Sequence, residues 1–182
     1  ALSSQMDRMI AAGAKGFLVW QYSGNLSNGE YFGNDQYSFF QETSTGKAMC
    51  NILKQRSSSF EFVGVNMWDI GAGYSQDVVR RHFSWLREEC GVSVVRVFAK
   101  AGGVQGMRNV LNTAQETNIQ LIIAIGDYSN GGGHIPFGVE PGWEDRHDWY
   151  NNNYSDFRDF VQQVALAVSH PVSYTHLRAH ET

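Results

Sequence analysis

Short apolar runs alternate along this chain with stretches in which apolar residues recur every three to four positions. The first helical rhythm is Leu2, Met6, Met9 and Ile10, closed by Gly13, and residues 16–22 (GFLVWQY) follow as a buried strand. A polar, Gly- and Asn-rich loop then runs through Gly33. Residues 44–54 predict a helix with Met49, Ile52 and Leu53 on one face, and residues 55–59 (QRSSS) lack apolar side chains and read as a linker. A more regular alternation starts there. Residues 62–67 predict a strand, and residues 76–90 a helix with Val79, Phe83, Leu86 and Cys90 aligned and Gly91 at its C-cap. Residues 92–99 (VSVVRVFA) predict a β-branched strand, and residues 104–118 a helix with Met107, Val110, Leu111 and Ala114 inward. Residues 120–126 (QLIIAIG) predict another strand. A long loop reaches about Asn153, and residues 154–168 end the pattern as a helix with Phe157, Phe160, Val161, Val164 and Val168 aligned.

Strands that are apolar throughout, alternating with amphipathic helices, predict parallel βαβ units of an α/β protein. The repeat of about thirty residues fits that unit. A TIM-type barrel and an open doubly wound sheet both satisfy the pattern. No GxGxxG or GxxxxGK[ST] motif follows a strand, which lowers the weight of the nucleotide-binding versions. A complete barrel needs about 250 residues, so a barrel reading of 182 residues predicts a partial one.

Composition changes this picture little. Charged residues make up 18% and hydrophobic residues 42%, as in folded proteins, so a packed core is expected. Aromatics reach 13%, which suits sugar stacking but also core filling. The net charge of −4 and the absence of a basic stripe argue against nucleic acid as a partner. No apolar stretch approaches the ~20 residues of a membrane span, so no membrane partner is expected. Cys50 and Cys90 can pair or stay free; both lie on apolar helix faces, and buried thiols are the favoured expectation.

Both ends of the chain are unusual. It opens within a helical pattern at Ala1, so the natural N-terminus is expected upstream. Residues 172–182 (VSYTHLRAHET) have no apolar period and read as a translated transposase sequencing adapter, so the natural protein is expected to continue past Pro171.

Working residues of α/β barrels gather at the C-terminal ends of strands. Those positions hold Trp20-Gln21-Tyr22, Asn66-Met67-Trp68-Asp69, Arg96 with Phe98, and Gly126-Asp127-Tyr128. Flat aromatic faces and forked polar groups are what polyol recognition requires. Arg96 is the most informative, because it interrupts an apolar strand and a buried guanidinium needs acceptors. It either orients an active-site carboxylate or pairs with Asp69 or Asp127 as scaffolding. Trp20 fits an apolar strand and reads equally as a core residue, whereas Trp68 faces a Gly-Ala-Gly loop at the rim. Asp127 either serves acid–base chemistry or caps a turn. The loop over residues 127–153 is too long for a simple connector and too aromatic for disorder. His134 and His147 near carboxylates match no ligand spacing, so no metal and no cofactor are expected. No GxSxG elbow supports serine hydrolase chemistry.

These strand-end residues resemble glycoside hydrolase family five, particularly its endo-β-mannanase-like members. Phe62-Val63-Gly64-Val65-Asn66-Met67-Trp68 resembles the first barrel strand, and Val94-Val95-Arg96-Val97-Phe98 the second with its arginine. Leu121-Ile122-Ile123-Ala124-Ile125-Gly126-Asp127-Tyr128 is similar to the third strand and the start of its loop. The stretch from Ala11 to Tyr22 resembles the last helix–strand step of such a barrel, with the eighth-strand tryptophan at Trp20, and residues 34–40 the loop after it. The resemblance therefore implies an end (residues 1–54) preceding a beginning (residues 61–170), joined by a linker at residues 55–60. Tandem modules are the favoured explanation, ahead of circular permutation or a chimeric join. In the first two cases the end strand and the first strand can lie side by side as a half-barrel. The resemblance implies a secreted retaining endo-β-glycosidase acting on β-mannan or a β-1,4-glucan, with a polysaccharide as partner. It implies substrate-binding roles for Trp20, Trp68, Arg96, Asp127 and Tyr128, with Arg96 supporting the nucleophile. Its catalytic glutamates belong to the fourth and seventh strands, and no Asn-Glu motif occurs here. No catalytic residue is assigned, and the fragment is expected to be inactive and poorly soluble. A non-catalytic carbohydrate-binding module, more often an antiparallel sandwich, and an unrelated open-sheet α/β enzyme are the alternatives.

Overall fold

A computed structural model of the chain describes residues 2–19, 22–23, 39–67, 75–98, 104–124, 154–168 and 175–177. Helix α1 (Leu2–Ala11) leads to strand β1 (Gly16–Val19) and the two-residue strands β2 (Tyr22–Ser23) and β3 (Phe39–Phe40). Helix α2 (Ser44–Arg56) and a 3-10 turn (Ser57–Ser59) precede β4 (Phe62–Asn66), α3 (Gln76–Glu88), β5 (Val94–Phe98), α4 (Val104–Glu116) and β6 (Gln120–Ala124). Helix α5 (Tyr154–Val168) and a short strand β7 (Thr175–Leu177) complete the described elements.

The main sheet is parallel in the order β1-β4-β5-β6-β7, and β2 pairs with β3 separately. The order advances in one direction along the chain. Right-handed crossovers then put the connecting helices on one face of the sheet. Strand burial agrees. Phe17, Val19, Val63, Val65, Val95, Val97, Leu121 and Ile123 are buried with Val79, Phe83 and Leu86 of α3 and Met107, Val110 and Ala114 of α4 in one core. On the opposite face, Leu18 is 43% exposed.

The helix ends follow from local chemistry. Ser75 Oγ accepts from the Val78 amide at the start of α3, and Thr43 Oγ1 from the Gly46 amide at the start of α2. Helix α1 ends with Gly13 at φ 77°. Its closing bonds run from Ala14 N to the Met9 carbonyl and from Gly13 N to Ile10, a Schellman pair. Helix α4 ends the same way at Asn118 (φ 53°), with Ile119 N bonded to Ala114 and Asn118 N to Gln115. Asparagine tolerates that conformation because its short polar side chain can bond locally.

Three expectations need correction. The expected strand over residues 16–22 is not one strand: β1 covers Gly16–Val19, and Tyr22 belongs to a different small sheet. The expected linker over residues 55–59 is the last turn of α2 and a 3-10 turn, because Ser57 Oγ donates to the Lys54 carbonyl and prolongs the helical path. Cys50 and Cys90 are not free thiols but a disulfide, and the chain holds no other cysteine. Their Cα atoms are 4.4 Å apart, within bonding reach, because the end of α2 lies against the turn after α3, where Lys54 Nζ donates to the Glu88 carbonyl. Residues 175–177 also pair with β6, which does not bear on the adapter reading of that stretch. An exposed parallel edge accepts any extended segment, since its unpaired backbone groups do not select sequence.

The two sides of residues 55–60 pack on each other. β1 pairs with β4 from Gly16↔Phe62 to Val19↔Val65, and the Glu61 amide donates to the Lys15 carbonyl at 2.7 Å. Arg56 reaches back to Asp7 on α1 at 2.8 Å, and its guanidinium holds the Asp7 carboxyl below the usual carboxylate range.

Candidate functional site

Parallel pairing puts the C-terminal ends of β1, β4, β5 and β6 on one edge of the sheet. Arg96 sits at the centre of that edge. It is paired in register with Asn66 on one side and Ile122 on the other. Its neighbours Val95 and Val97 are fully buried in the core, so alternation turns the Arg96 side chain to the face away from the helices. Asn66 takes that same face and is 1% exposed.

The two side chains meet. Arg96 Nη1 donates to Asn66 Oδ1 at 2.9 Å. The backbones are bonded as well, Met67 N to the Arg96 carbonyl at 2.8 Å. The guanidinium carries five N–H groups in a fixed fork. Among the described residues, the Asn66 amide nitrogen is buried without a hydrogen-bond partner. Such a group costs free energy unless it is satisfied, typically about 1–3 kcal/mol. The pair puts a guanidinium and an amide at the strand ends, groups suited chemically to a carboxylate or a sugar oxygen.

The described partner of Arg96 is an amide, whereas sequence reasoning weighed a carboxylate of Asp69 or Asp127. Both aspartates lie outside the described residues, as do Trp20, Trp68, Asp127 and Tyr128 among the expected binding residues. The long loop with His134 and His147 also lies outside them. Among the described residues, no group of three or more His, Cys, Asp or Glu side chains could hold a metal ion.

A second polar cluster lies between β2 and α3. Tyr22 is fully buried, and its hydroxyl lies 2.8 Å from Nδ1 of His82, also fully buried. Gln41 Oε1 accepts from the same hydroxyl at 3.4 Å. Trp85 stacks on the Tyr22 ring at 5.5 Å, and Phe39 closes the other side at 5.3 Å. Burial drives the Tyr22 hydroxyl strongly toward its neutral form, with Glu42 acting in the same direction and Arg81 against it. Sequence reasoning put Tyr22 among strand-end polar groups and did not single out His82. A signal for His82 was present: it falls between Val79, Phe83 and Leu86 on the apolar stripe of α3.

Compared with known proteins, the chain matches no family model and no curated protein. Among the described residues, no helix is long and apolar enough to cross a membrane.

Proposed function

We propose that this chain is part of a retaining endo-β-glycosidase of TIM-type barrel architecture, acting on β-mannan or a related β-1,4-glucan outside the cell. The observation that carries the proposal is Arg96, held by Asn66 at the C-terminal edge of a parallel sheet. That edge is where barrel enzymes keep their chemistry. Three further features support the reading. The strands advance in one direction without the reversal that marks doubly wound folds. The parallel sheet is unlike the antiparallel sandwich of most carbohydrate-binding modules. A buried disulfide fits an oxidising compartment.

In this proposal Arg96 binds and orients a carboxylate of the reaction. An adjacent guanidinium favours the ionised carboxylate, as a glycosidase nucleophile requires. The second carboxylate of a retaining pair stands about 5–5.5 Å from the first. Trp20 lines the cleaved sugar's subsite, and Trp68, Asp127 and Tyr128 are weaker substrate contacts. The chain alone does not cleave glycans. Reading the source DNA through both ends of the frame tests the parent assignment. An Asn-Glu strand after Pro171 and a glutamate-bearing strand before Ala1 are the expected result. A frame that continues without them removes the enzyme assignment.

A further inference from the structure

A closed ring of contacts joins α2, β3, β2 and α3. The first turn of α2 sits directly on β3, since a Cβ at Gly46 would fall 1.7 Å from the Phe40 carbonyl oxygen. β3 pairs with β2, and Tyr22 of β2 hydrogen-bonds His82 of α3. The end of α3 leads to Cys90, whose disulfide returns to Cys50 on α2. The other links in the ring are slight. The β2–β3 ladder has only two residue pairs, and isolated two-stranded sheets are marginal. Lys54 and Glu89, the ion pair beside the disulfide, are 4.0 Å apart and more than half exposed. The sulfur bridge is the strongest closure the ring has.

We propose that the Cys50–Cys90 disulfide is a redox latch that holds the α2–β3–β2 layer against α3 and keeps the Tyr22–His82 pair closed to water. Reduction by a dithiol breaks the S–S bond. Two electrons and two protons pass to the cysteines, giving two thiols, and the dithiol closes to its own disulfide. Cys50 is 3% exposed and Cys90 is fully buried, so the attacking thiolate reaches the sulfurs only when the layer opens. The latch does not rest on the glycosidase reading.

The test is modification of His82 by diethyl pyrocarbonate, mapped by mass spectrometry, with helix content followed by circular dichroism. The oxidised chain and its Cys50→Ala/Cys90→Ala variant are compared. His82 resists modification in the oxidised chain and reacts at least about tenfold faster in the variant, which keeps its helical signal. Equal protection in both overturns the proposal. Collapse of the helical signal in the variant also overturns it, because the bridge would then support the whole fold rather than this layer. Tyr22→Phe removes the hydrogen bond but leaves the bridge, and His82 stays protected in it. Exposure of His82 in Tyr22→Phe would place the closure in the hydrogen bond and overturn the latch. Glycan is absent from every arm, so the result is independent of the glycosidase assignment.

Discussion

Two hydrogen bonds, one buried and one part-buried, set what single residues do here. Tyr22 keeps its proton well above the ordinary tyrosine pKa of 10.0, because burial penalises the phenolate. The folded pKa is raised above the unfolded one, so the stability held by the neutral form is complete below pH 10 and falls as pH rises beyond it. Absorbance titration of the eight tyrosines should leave Tyr22 un-ionised until the protein unfolds. Loss of that late-titrating phenol in Tyr22→Phe, with the other transitions unchanged, checks the assignment. Asn66 and Arg96 form the other bond. Asn66→Ala removes an acceptor from the guanidinium and should cost about 1–3 kcal/mol in urea unfolding. Arg96→Ala removes the same bond, so the double variant should cost less than the sum of the singles. Strict additivity would show that the two side chains do not act together. Arg96 was legible in the sequence because a charge breaks an apolar strand. Asn66 was visible as a strand end, but its role depends on register, which one strand's sequence does not contain.

Element identities were legible where hydrophobic periodicity is strong. Helices α2, α3, α4 and α5 and strands β4, β5 and β6 occupy the expected stretches within a few residues. Boundaries were less legible because caps decide them. Asn118 ends α4 at positive φ, a role that glycine usually fills and that the apolar pattern ignores. Gly91 was expected as a C-cap, and it does adopt φ 69° after α3. The same conformation at two helix ends gives a discriminating prediction. Gly13→Ala meets no atom within 4 Å and should cost only the backbone term, about 1–2 kcal/mol. Gly91→Ala meets the same term, and its Cβ would also lie 2.8 Å from Ser57 Oγ and 3.3 Å from the Lys54 Cα. It should be the more destabilising in chemical unfolding. Equal costs would mean that the α2–α3 contact yields freely. The disulfide was not legible, since apolar placement of Cys50 and Cys90 fits thiols as well as a bridge. Only the approach of α2 to the turn after α3 decides between them.

At the scale of the molecule, segments read as the end and the beginning of a barrel share one sheet and one core. A disulfide spanning 40 positions crosses between them, and a loop of that length lowers the entropy of the unfolded chain by the equivalent of ~4 kcal/mol. Parallel pairing was legible from the βαβ rhythm, but the direction of winding was not, since a barrel and a doubly wound sheet both satisfy that rhythm. The end strand beside the first strand was anticipated and is the β1–β4 pair, whereas the helical geometry of residues 55–59 was not, because the short polar run QRSSS resembles a linker. β1 is the terminal strand of the described sheet, and its Leu18 is exposed. The purified chain should therefore self-associate through this edge, with sedimentation velocity showing species larger than the 20.4 kDa monomer. A monomer at all concentrations would show that the edge is covered. Affinity electrophoresis in gels containing soluble glucomannan tests the proposed glycan site around Arg96. The chain should be retarded, and Arg96→Ala, with an unchanged circular dichroism spectrum, should not. Equal migration of the chain with and without glycan, or equal retardation of both proteins, would contradict it.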